Sequence, residues 1–573
     1  MSAHIGLVLV QGVLPLVGIY LMKLIVDTIA EGVSSGDTDL AWSRLLMWVG
    51  FAAGVALLGS VLRVLGGVVA EAHGRAVSDR VAEQLHYQST RLDLAYYENP
   101  EYYDTLHRAQ AEAPHRPIRI VQDLASTGQA LVTLVGMVGL LLALHWAVPV
   151  VVTLAAIPAV LFRLRHARRM YDWQQKRTPD QREAGYLSGL MTSRSSAKDL
   201  RLFNLGDILA GRFSRIRDRL RGEMLGLSMR RGRADLLAQV LSSSVLFGAY
   251  LLVGWLTLQG VTTLGDLVMY AQAIQRAQGA VGGLLGSMAG LFENSMFLAH
   301  FFSFLDLKPL VGSPTEARSA PTRPAANIRC EGLSFTYPGQ EQPVLHGLDL
   351  TLRSGELVAL VGPNGTGKST LVKLLCRLYD PSAGRILMDG VDIRDYEPAV
   401  WRDQLSVLFQ DATPFEFSAR DNITAFDPDT EGGQEYRAAA MAGAHERLTK
   451  LSKGYDTLLG RRFEGAEELS AGEWRKVLLA RALYRGTGTV LLDEPLAFVD
   501  PRAGAEILAT LREQAKDRML LIVSHRPELL AQADRVSVLH EGRIAEEGTH
   551  EELIASGGVY ARMLGHPPQG RQA

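Results

Sequence analysis

The stretch that decides the fold of the second half of this chain is Gly362-Pro363-Asn364-Gly365-Thr366-Gly367-Lys368-Ser369-Thr370. An apolar run precedes it and an amphipathic run follows it. A glycine-rich turn between a strand and a helix directs backbone N–H groups and the positive end of the helix dipole toward one point. Lys368 adds a positive charge and Ser369 a hydroxyl ligand for Mg²⁺, so the stretch predicts a loop that binds nucleotide phosphates. A glycine-rich turn that binds nothing is the plain alternative, and the complete pattern with both flanks argues against it.

The chain has 573 residues, which is too long for one ordinary domain, so two or more domains are expected. Hydrophobic residues make up 47% of it, and the formal net charge is −2. That charge indicates neither the presence nor the absence of a nucleic-acid partner. The only cysteines, Cys330 and Cys376, give no disulfide framework and are expected to be small buried side chains.

Six apolar runs in the first half are long enough to cross a bilayer, which takes about 20 residues. They lie at about residues 4–27, 45–70, 128–146, 148–165, 237–258 and 265–290. The pattern predicts an α-helical six-span transmembrane domain over residues 1–309, with cytosolic extensions of the helices. Only a few residues precede the first run. Residues 310–326 are rich in Pro, Ser, Thr, Ala and Gly and predict a linker to a second domain over residues 327–573.

Arginines concentrate in the two long polar segments, between runs two and three and between runs four and five. The connections on the opposite side, residues 31–42 and 259–264, are short and contain no Lys or Arg. The positive-inside rule therefore predicts that both termini and the second domain lie in the cytosol. A nucleic-acid surface is the alternative for these arginines. Interleaved acids favour solvated faces of long helices instead, so no nucleic-acid partner is expected.

Each long polar segment contains a break, at residues 96–104 and at residues 193–203. The Asn99-Pro100 pair disfavours a continuous helix in the first of them. We expect these turns to dock on the second domain, and an ordinary helix–helix loop is the alternative. The sixth run contains Gln272, Gln275 and Arg276 beside several glycines. Such polar side chains are costly in lipid, so they are expected either to face a water-filled cavity or to belong to a closely packed helix end.

In the second domain, polar residues follow a series of apolar strands. A strand before Pro338 ends at Tyr337, whose ring could stack on a flat base, and another ends at Gln410. A third ends in Asp493 and Glu494, and a fourth in His525. Alternating strands and helices predict a mostly parallel α/β sheet with its ligands at the carboxyl ends of the strands. There Asp493 can hold Mg²⁺ through water, Glu494 can polarise an attacking water, and His525 can contact a γ-phosphate.

These motifs, in this order, resemble the ATP-binding cassette, and six spans ahead of one cassette resemble a half-transporter of the ABC exporter type. The resemblance implies a fold in two parts: an α-helical six-span transmembrane domain followed by an α/β P-loop NTPase domain. It implies an ATPase of the translocase class that exports a peptide, drug or lipid across the cytoplasmic membrane. It also implies that two chains pair. Each ATP then lies between the loop at residues 362–370 of one chain, called Walker A, and residues 469–473 of its partner, called the signature.

Site residues follow from the same resemblance, which covers nearly the whole chain. It implies catalytic roles for Glu494, His525, Lys368 and Gln410, and ligation of Mg²⁺ by Ser369, Gln410 and Asp493. ATP is expected to contact Tyr337, Gly362, Pro363, Asn364, Gly365, Thr366, Gly367, Lys368, Ser369, Thr370, Gln410, Ser470, Gly472 and Glu473. The two turns in the polar segments would be the coupling helices.

Two departures from the family pattern bear on the partner. The signature reads Leu469-Ser470-Ala471-Gly472-Glu473 where Leu-Ser-Gly-Gly-Gln is usual, and residues 495–500 read Pro-Leu-Ala-Phe-Val-Asp where Pro-Thr-Ser-Ala-Leu-Asp is usual. A carboxylate at Glu473 suits a helix start and repels phosphate if it points inward. The sequence therefore leaves open a homodimer or a heterodimer with one impaired ATP site. A membrane ATPase that gates or regulates without net transport is the rival function.

Overall fold

The computed structural model describes residues 2–99, 102, 106, 110, 112–144, 147–314, 316–319, 325–428 and 432–565. The chain divides into two compact units, one of residues 1–90 and 104–306 and one of residues 91–103 and 307–573. Parts of the predicted first turn, the third run and the linker lie outside the described residues, including residues 103–105, 145–146 and 320–324. The predicted domain limits at 309 and 327 stay a prediction.

The first unit is built from long helices. They are α1 (Ser2–Ser35), α2 (Thr38–Arg91), α4 (Arg116–Leu144), α5 (Ala147–Thr192), α6 (Ala197–Leu202), α7 (Gly206–Leu258) and α8 (Leu264–Leu305), while α3 (Leu94–Tyr97) belongs to the second unit. In the inner core of the first unit, α1, α4, α7 and α8 pack around fully buried side chains such as Ile19, Met137 and Ile274. Large apolar side chains also cover the outside, with Leu251 77% exposed. An outer surface of this kind suits lipid rather than water.

Four helices in the described part of the chain are long and apolar enough to cross a membrane, at Ile5–Ser35, Thr38–Arg91, Arg116–Ala143 and Gly206–Leu258. These contain the first, second and fifth predicted spans and nearly all of the third. The fourth predicted span lies in α5, where most side chains are outside the described residues. The sixth lies in α8, whose polar residues Gln272, Gln275 and Arg276 lower its mean hydropathy. The count of six spans therefore stays a prediction.

The described residues of the second unit form two sheets. The strands are β1 (Asn327–Phe335), β2 (Leu345–Arg353), β3 (Leu357–Val361), β4 (Ala383–Met388), β5 (Val391–Asp392), β6 (Leu405–Leu408), β7 (Thr489–Asp493), β8 (Met519–Val523), β9 (Arg535–His540) and β10 (Arg543–Gly548). The larger sheet has the order β10-β9-β3-β8-β7-β6, parallel except for β10. This confirms the predicted parallel α/β sheet. A smaller antiparallel sheet, β2-β1-β4-β5, was not predicted, and it contains the strand that leads to Tyr337.

Helices cover both faces of the larger sheet. They are α9 (Lys368–Leu375), α10 (Pro398–Arg402), α11 (Ala419–Thr424), α12 (Gln434–Met441), α13 (His445–Thr449), α14 (Ala471–Tyr484), α15 (Pro501–Ala515), α16 (Pro527–Leu530), α17 (His550–Ser556) and α18 (Val559–Met563). Because side chains alternate along a strand, β3 sends Leu357, Ala359 and Val361 into one core and Val358 and Leu360 into the other. Burial on both faces explains why this strand is a continuous apolar run. Both cysteines are free and buried, as expected.

The first predicted turn packs within the second unit. Ala95 of α3 joins its buried core, and the Asp93 carboxylate accepts hydrogen bonds from the backbone N–H groups of Leu310 (2.5 Å) and Val311 (2.9 Å). The Tyr96 hydroxyl donates to the Lys308 carbonyl at 2.8 Å. These contacts agree with the expected docking of this turn. The second turn lies in the first unit, where α6 is followed by the 63% exposed Phe203, and its docking stays a prediction.

A buried arginine fastens the start of the second unit to its sheet. Arg377 is 1% exposed, and its guanidinium donates to the carbonyls of Gly312 (2.5 Å), Ile393 (3.1 Å) and Tyr396 (2.5 Å) and to the Asp380 carboxylate (3.2 Å). The arginine therefore connects three separate chain segments, at Gly312, at Asp380 and at residues 393–396.

We therefore expect Arg377→Met to lower the free energy of unfolding of the second unit by about 3 kcal/mol, because three carbonyls lose a buried charged donor. The melting temperature of the nucleotide-free protein in detergent measures this. Arg385→Met is the matched control, since the Arg385 side chain is 57% exposed and forms a surface ion pair with Glu331. Equal melting temperatures for both variants would contradict the assignment.

Candidate functional site

The strand order brings the predicted site residues to one edge of the larger sheet. Val523 at the end of β8 pairs with Leu360 of β3 on one side and with Asp493 of β7 on the other. Leu408 at the end of β6 pairs with Leu492 of β7. The segments that leave these strands therefore start side by side. They are residues 362–370, Gln410, Glu494 and His525, which the sequence placed at strand ends.

Three glycines give the 362–370 loop its shape. Gly365 and Gly367 have φ angles of 81° and 102°, which other residues rarely adopt. A side chain at Gly362 would collide with the carbonyl of Leu539. The loop thus needs glycine at these positions for backbone reasons. It leads directly into α9, so the helix N-terminus and the loop N–H groups form an anion-binding concavity.

The side chains of Lys368 and Ser369, which the sequence predicts to contact phosphate and Mg²⁺, lie next to β7. The Lys368 ammonium donates to the carbonyls of Gly362 (2.7 Å) and Pro363 (2.9 Å), so it stays within its own loop. The Ser369 hydroxyl donates to the Asp493 carboxylate at 2.8 Å. Burial lowers the pKa of Lys368 and raises that of Asp493, with the two charges partly offsetting these shifts.

Glu494 has a backbone conformation that few non-glycine residues adopt, with φ at 50°. Its N–H donates to the Val523 carbonyl at 2.9 Å, which holds the turn against β8, and its carboxylate lies 3.8 Å from Nε2 of His525. Desolvation, and then the neighbouring charge of Asp493, raise the pKa of Glu494. Desolvation, and then Lys368, lower the pKa of His525, so its imidazole is neutral near pH 7. A neutral imidazole can both donate and accept a hydrogen bond.

Arg475 completes the site, and the sequence analysis missed it. This residue of α14 is 5% exposed and donates to the carbonyls of Phe409 (3.0 Å), Gln410 (3.2 Å) and Glu494 (2.8 Å), and also to that of Asp493. It thereby ties the end of β6 to the end of β7. Burial lowers its pKa. A signal existed in its spacing, because an arginine one turn inside a helix that begins at the signature faces the sheet.

Tyr337 lies beside the loop rather than at the larger sheet's edge. Its hydroxyl is 3.0 Å from the Thr370 hydroxyl, and its ring packs edge-to-face with Phe335 and Tyr379. The ring is half-buried. These contacts fix an aromatic plane next to the phosphate loop, where a nucleotide base could stack.

The signature residues form a separate cluster. Ser470 caps α14, the Glu473 carboxylate accepts from the Ser470 N–H at 2.8 Å, and Arg447 donates to the other Glu473 oxygen at 2.8 Å. Burial alone would raise the pKa of Glu473, but these hydrogen bonds outweigh it and lower the pKa. Within the described residues, the side chains of Ser470 and Glu473 form no hydrogen bond to residues 362–370. A side chain at Gly472 would meet the carbonyl of Phe498.

The donor set fits a magnesium ion supplied with a nucleotide. In the described part of the chain, no group of three or more His, Cys, Asp and Glu side chains could hold a metal ion by itself. Magnesium, however, is normally bound by one or two protein oxygens together with phosphates and water. Ser369 and Asp493 provide such oxygens, and the exposed Gln410 follows β6 beside them.

Comparisons with known proteins agree with this geometry. The family model described as ABC transporter matches residues 345–497. The subtilin transport ATP-binding protein SpaT of Bacillus subtilis is 26% identical over 562 residues, 97% of this chain and 89% of the relative. An ATP-dependent lipid A-core flippase of Chromobacterium violaceum is 26% identical over 521 residues, 91% of this chain and 88% of the relative.

A solved structure, that of a bacterial Atm1-family ABC exporter with ATP bound, aligns with a TM-score of 0.79 at 22% identity. It covers 100% of this chain and 99% of the other chain, so the fold is shared from end to end. The second unit therefore contains an ABC transporter domain, and the chain is homologous to half-transporter exporters along most of its length. A helical membrane region precedes this ATP-binding cassette, which hydrolyses ATP to drive transport.

Proposed function

We propose that this chain is half of an exporter that pairs with an identical copy and moves a peptide out of the cytosol across the cytoplasmic membrane. The observation that carries the proposal is the similarity to the subtilin transport protein along 97% of the chain, helices included. The cassette and both termini lie in the cytosol, as the arginine distribution favours. A lipid or drug cargo is the alternative, which the similarity to a lipid A-core flippase supports.

We also infer the catalytic roles, which the position of these side chains at the carboxyl edge of the sheet supports. Glu494 orients the attacking water, His525 contacts the γ-phosphate, and Lys368 neutralises phosphoryl oxygens. Mg²⁺ held by Ser369, Asp493 and Gln410 supplies further positive charge to the transferred group. Arg475 fixes the carbonyls next to Glu494 and Gln410, so both side chains leave from a rigid edge. Tyr337 stacks on the base.

The second half of each ATP site comes from the partner cassette. Ser470 and Gly472 stand at the N-terminus of α14, and their own chain's phosphate loop forms no hydrogen bond with Ser470 in the described residues. A helix N-terminus with free N–H groups is suited to the γ-phosphate of another chain's nucleotide. Glu473 does not prevent this, because its carboxylate turns back to the Ser470 N–H and pairs with Arg447. This arrangement favours an identical partner over a heterodimer with one impaired site.

The proposed cargo path involves α7 and α8. An open cavity of about 380 Å³ between them is lined by Tyr250, Gln272 and Gln275 together with apolar residues. Amide and hydroxyl groups on an apolar wall can hydrogen-bond a peptide main chain. The cavity thus supports a peptide more than a purely apolar drug.

Uptake by inverted membrane vesicles tests the export function. We expect ATP-dependent accumulation of labelled subtilin, used as a probe peptide, and stimulation of ATP hydrolysis by that peptide. Labelled lipid A core and a lipophilic dye serve as comparison cargoes. ATP hydrolysis without accumulation of any of the three would favour the rival function, a cassette ATPase that gates or regulates.

The Glu494→Gln variant should keep ATP binding and lose at least about 100-fold in turnover, because the amide cannot accept the proton of the attacking water. Phosphate release and retention of labelled ATP by the purified protein measure both effects. Glu513→Gln is the control, since the Glu513 side chain is 67% exposed and forms a surface ion pair with Lys516. Turnover close to that of the unmodified protein would refute the assigned role.

Removing Arg447 tests whether this arginine compensates the negative charge of Glu473 in the signature. Arg447→Ala removes the cation that compensates the Glu473 carboxylate near the incoming phosphate. The negative charge of Glu473 then repels the phosphate, so we expect kcat/KM for ATP to fall about tenfold. Adding Glu473→Gln should restore it, because the neutral amide needs no cation. Lys450→Ala, which removes a nearby surface cation paired with Glu446, is the control. A double variant no more active than Arg447→Ala would show that Arg447 acts in another way.

A further inference from the structure

The carboxylate of Glu98, in the turn between α2 and α4, contacts α9, the helix that follows the 362–370 loop. Glu98 directly follows α3, and its two oxygens have different partners. One accepts from the Lys373 ammonium at 2.6 Å, and the other accepts from the Tyr379 hydroxyl at 2.5 Å. All three residues belong to the second unit. Glu98 therefore bridges a lysine of α9 and a tyrosine that follows this helix.

The bridge is better shielded than an ordinary surface ion pair. The Lys373 side chain is 24% exposed, that of Glu98 38%, and Tyr379 is 5% exposed. Desolvation lowers the pKa of Lys373, but the hydrogen bond to Glu98 and nearby charges outweigh it and raise the pKa, so the lysine stays charged. Partial burial with two hydrogen bonds to one carboxylate fixes the geometry more firmly than surface pairing does.

Both partners of Glu98 also touch the aromatic plane proposed for the base. The Lys373 ammonium lies over the Tyr337 ring, 5.5 Å from its centroid, and the Tyr379 ring packs against the Tyr337 ring edge-to-face at 5.4 Å. A cation over one face of a tyrosine ring is attracted to its π electrons and leaves the opposite face for a base. Glu98 thus acts on Tyr337 from two sides.

We propose that Glu98 is a positioning residue that orients Tyr337 through Lys373 and Tyr379, and so links the turn at residues 93–98 to recognition of the nucleotide base. The inference rests on the proposed function, because it takes Tyr337 as the base-stacking residue. Coupling between two sites is reciprocal, so base binding also stabilises the position of this turn. The effect is specific to the base, since Lys373 points toward Tyr337 and Glu98 rather than into the phosphate loop.

The experiment uses the full-length protein in lipid nanodiscs. Glu98→Gln should raise KM for ATP about fivefold and leave kcat within about twofold, because the coupling acts on binding of the base. The inhibition constant of inorganic tripolyphosphate, which has no base, should stay unchanged. Tyr379→Phe, which removes one of the two hydrogen bonds and keeps the ring, should give a smaller rise in KM and supplies a second variant if Glu98→Gln aggregates.

A double-mutant cycle with Tyr337→Ala decides between positioning and simple fastening of the turn. We expect the double variant Tyr337→Ala with Glu98→Gln to have the KM of Tyr337→Ala alone. Glu331→Gln, which breaks a surface ion pair with Arg385 elsewhere in the second unit, should change none of these constants. If the two substitutions raise KM independently, so that their fold changes multiply in the double variant, the inference is overturned. An equal change in the inhibition constant of tripolyphosphate would also overturn it. An unchanged KM in Tyr337→Ala would instead overturn the role of Tyr337 in the proposed function.

Discussion

The parallel pairing of β3, β8 and β7 is the constraint on which the site depends. Hydrogen bonds between neighbouring strands fix where each one ends, so Val523 has Leu360 on one side and Asp493 on the other. The phosphate loop, the paired carboxylates and the histidine then meet without any long side chain reaching across the fold. Because these strands are buried on both faces, a register slip would expose apolar residues and bury polar ones. The same packing that stabilises the cassette therefore sets its chemistry.

The carboxyl edge of the larger sheet holds several charged side chains where burial reduces their solvation by water. Asp493 and Glu494 are consecutive acids, and desolvation raises the pKa of each. Within the described residues, the cations that act on both are Lys368 and Arg475. Arg475 donates its hydrogen bonds to backbone carbonyls rather than to the carboxylates. The two acids therefore keep their oxygens available for a nucleotide and its metal ion. Burial of both signs of charge favours a site that gains stability when a polyanion and a divalent cation bind.

The sequence predicted residues whose position follows from one chain segment and missed residues whose role depends on distant partners. A polar residue directly after an apolar run maps onto a strand end, which is why Gln410, Asp493 and His525 could be placed. Arg475 and Arg447 look like ordinary helix arginines, because their acceptors come from other segments. The antiparallel sheet was missed because it depends on the pairing of β1 with β4, in which Ile328 lies opposite Met388, and local patterns do not show such a distant pairing. Spans four and six stay predictions, one because its side chains are largely undescribed and the other because α8 is too polar.

The turn at residues 91–103 shows how the membrane helices and the cassette share one polypeptide. In sequence it lies between α2 and α4, yet Ala95 is buried in the core of the cassette, and Asp93 and Glu98 form hydrogen bonds to cassette residues. A predicted domain limit drawn at one point of the chain cannot represent this, since the turn lies more than 200 residues before that limit. An ion pair from Glu98 to the P-loop helix is stiffer than an apolar contact of the same area, since it requires defined distances. The second turn exposes Leu202 and Phe203, large apolar side chains that suit an apolar docking surface.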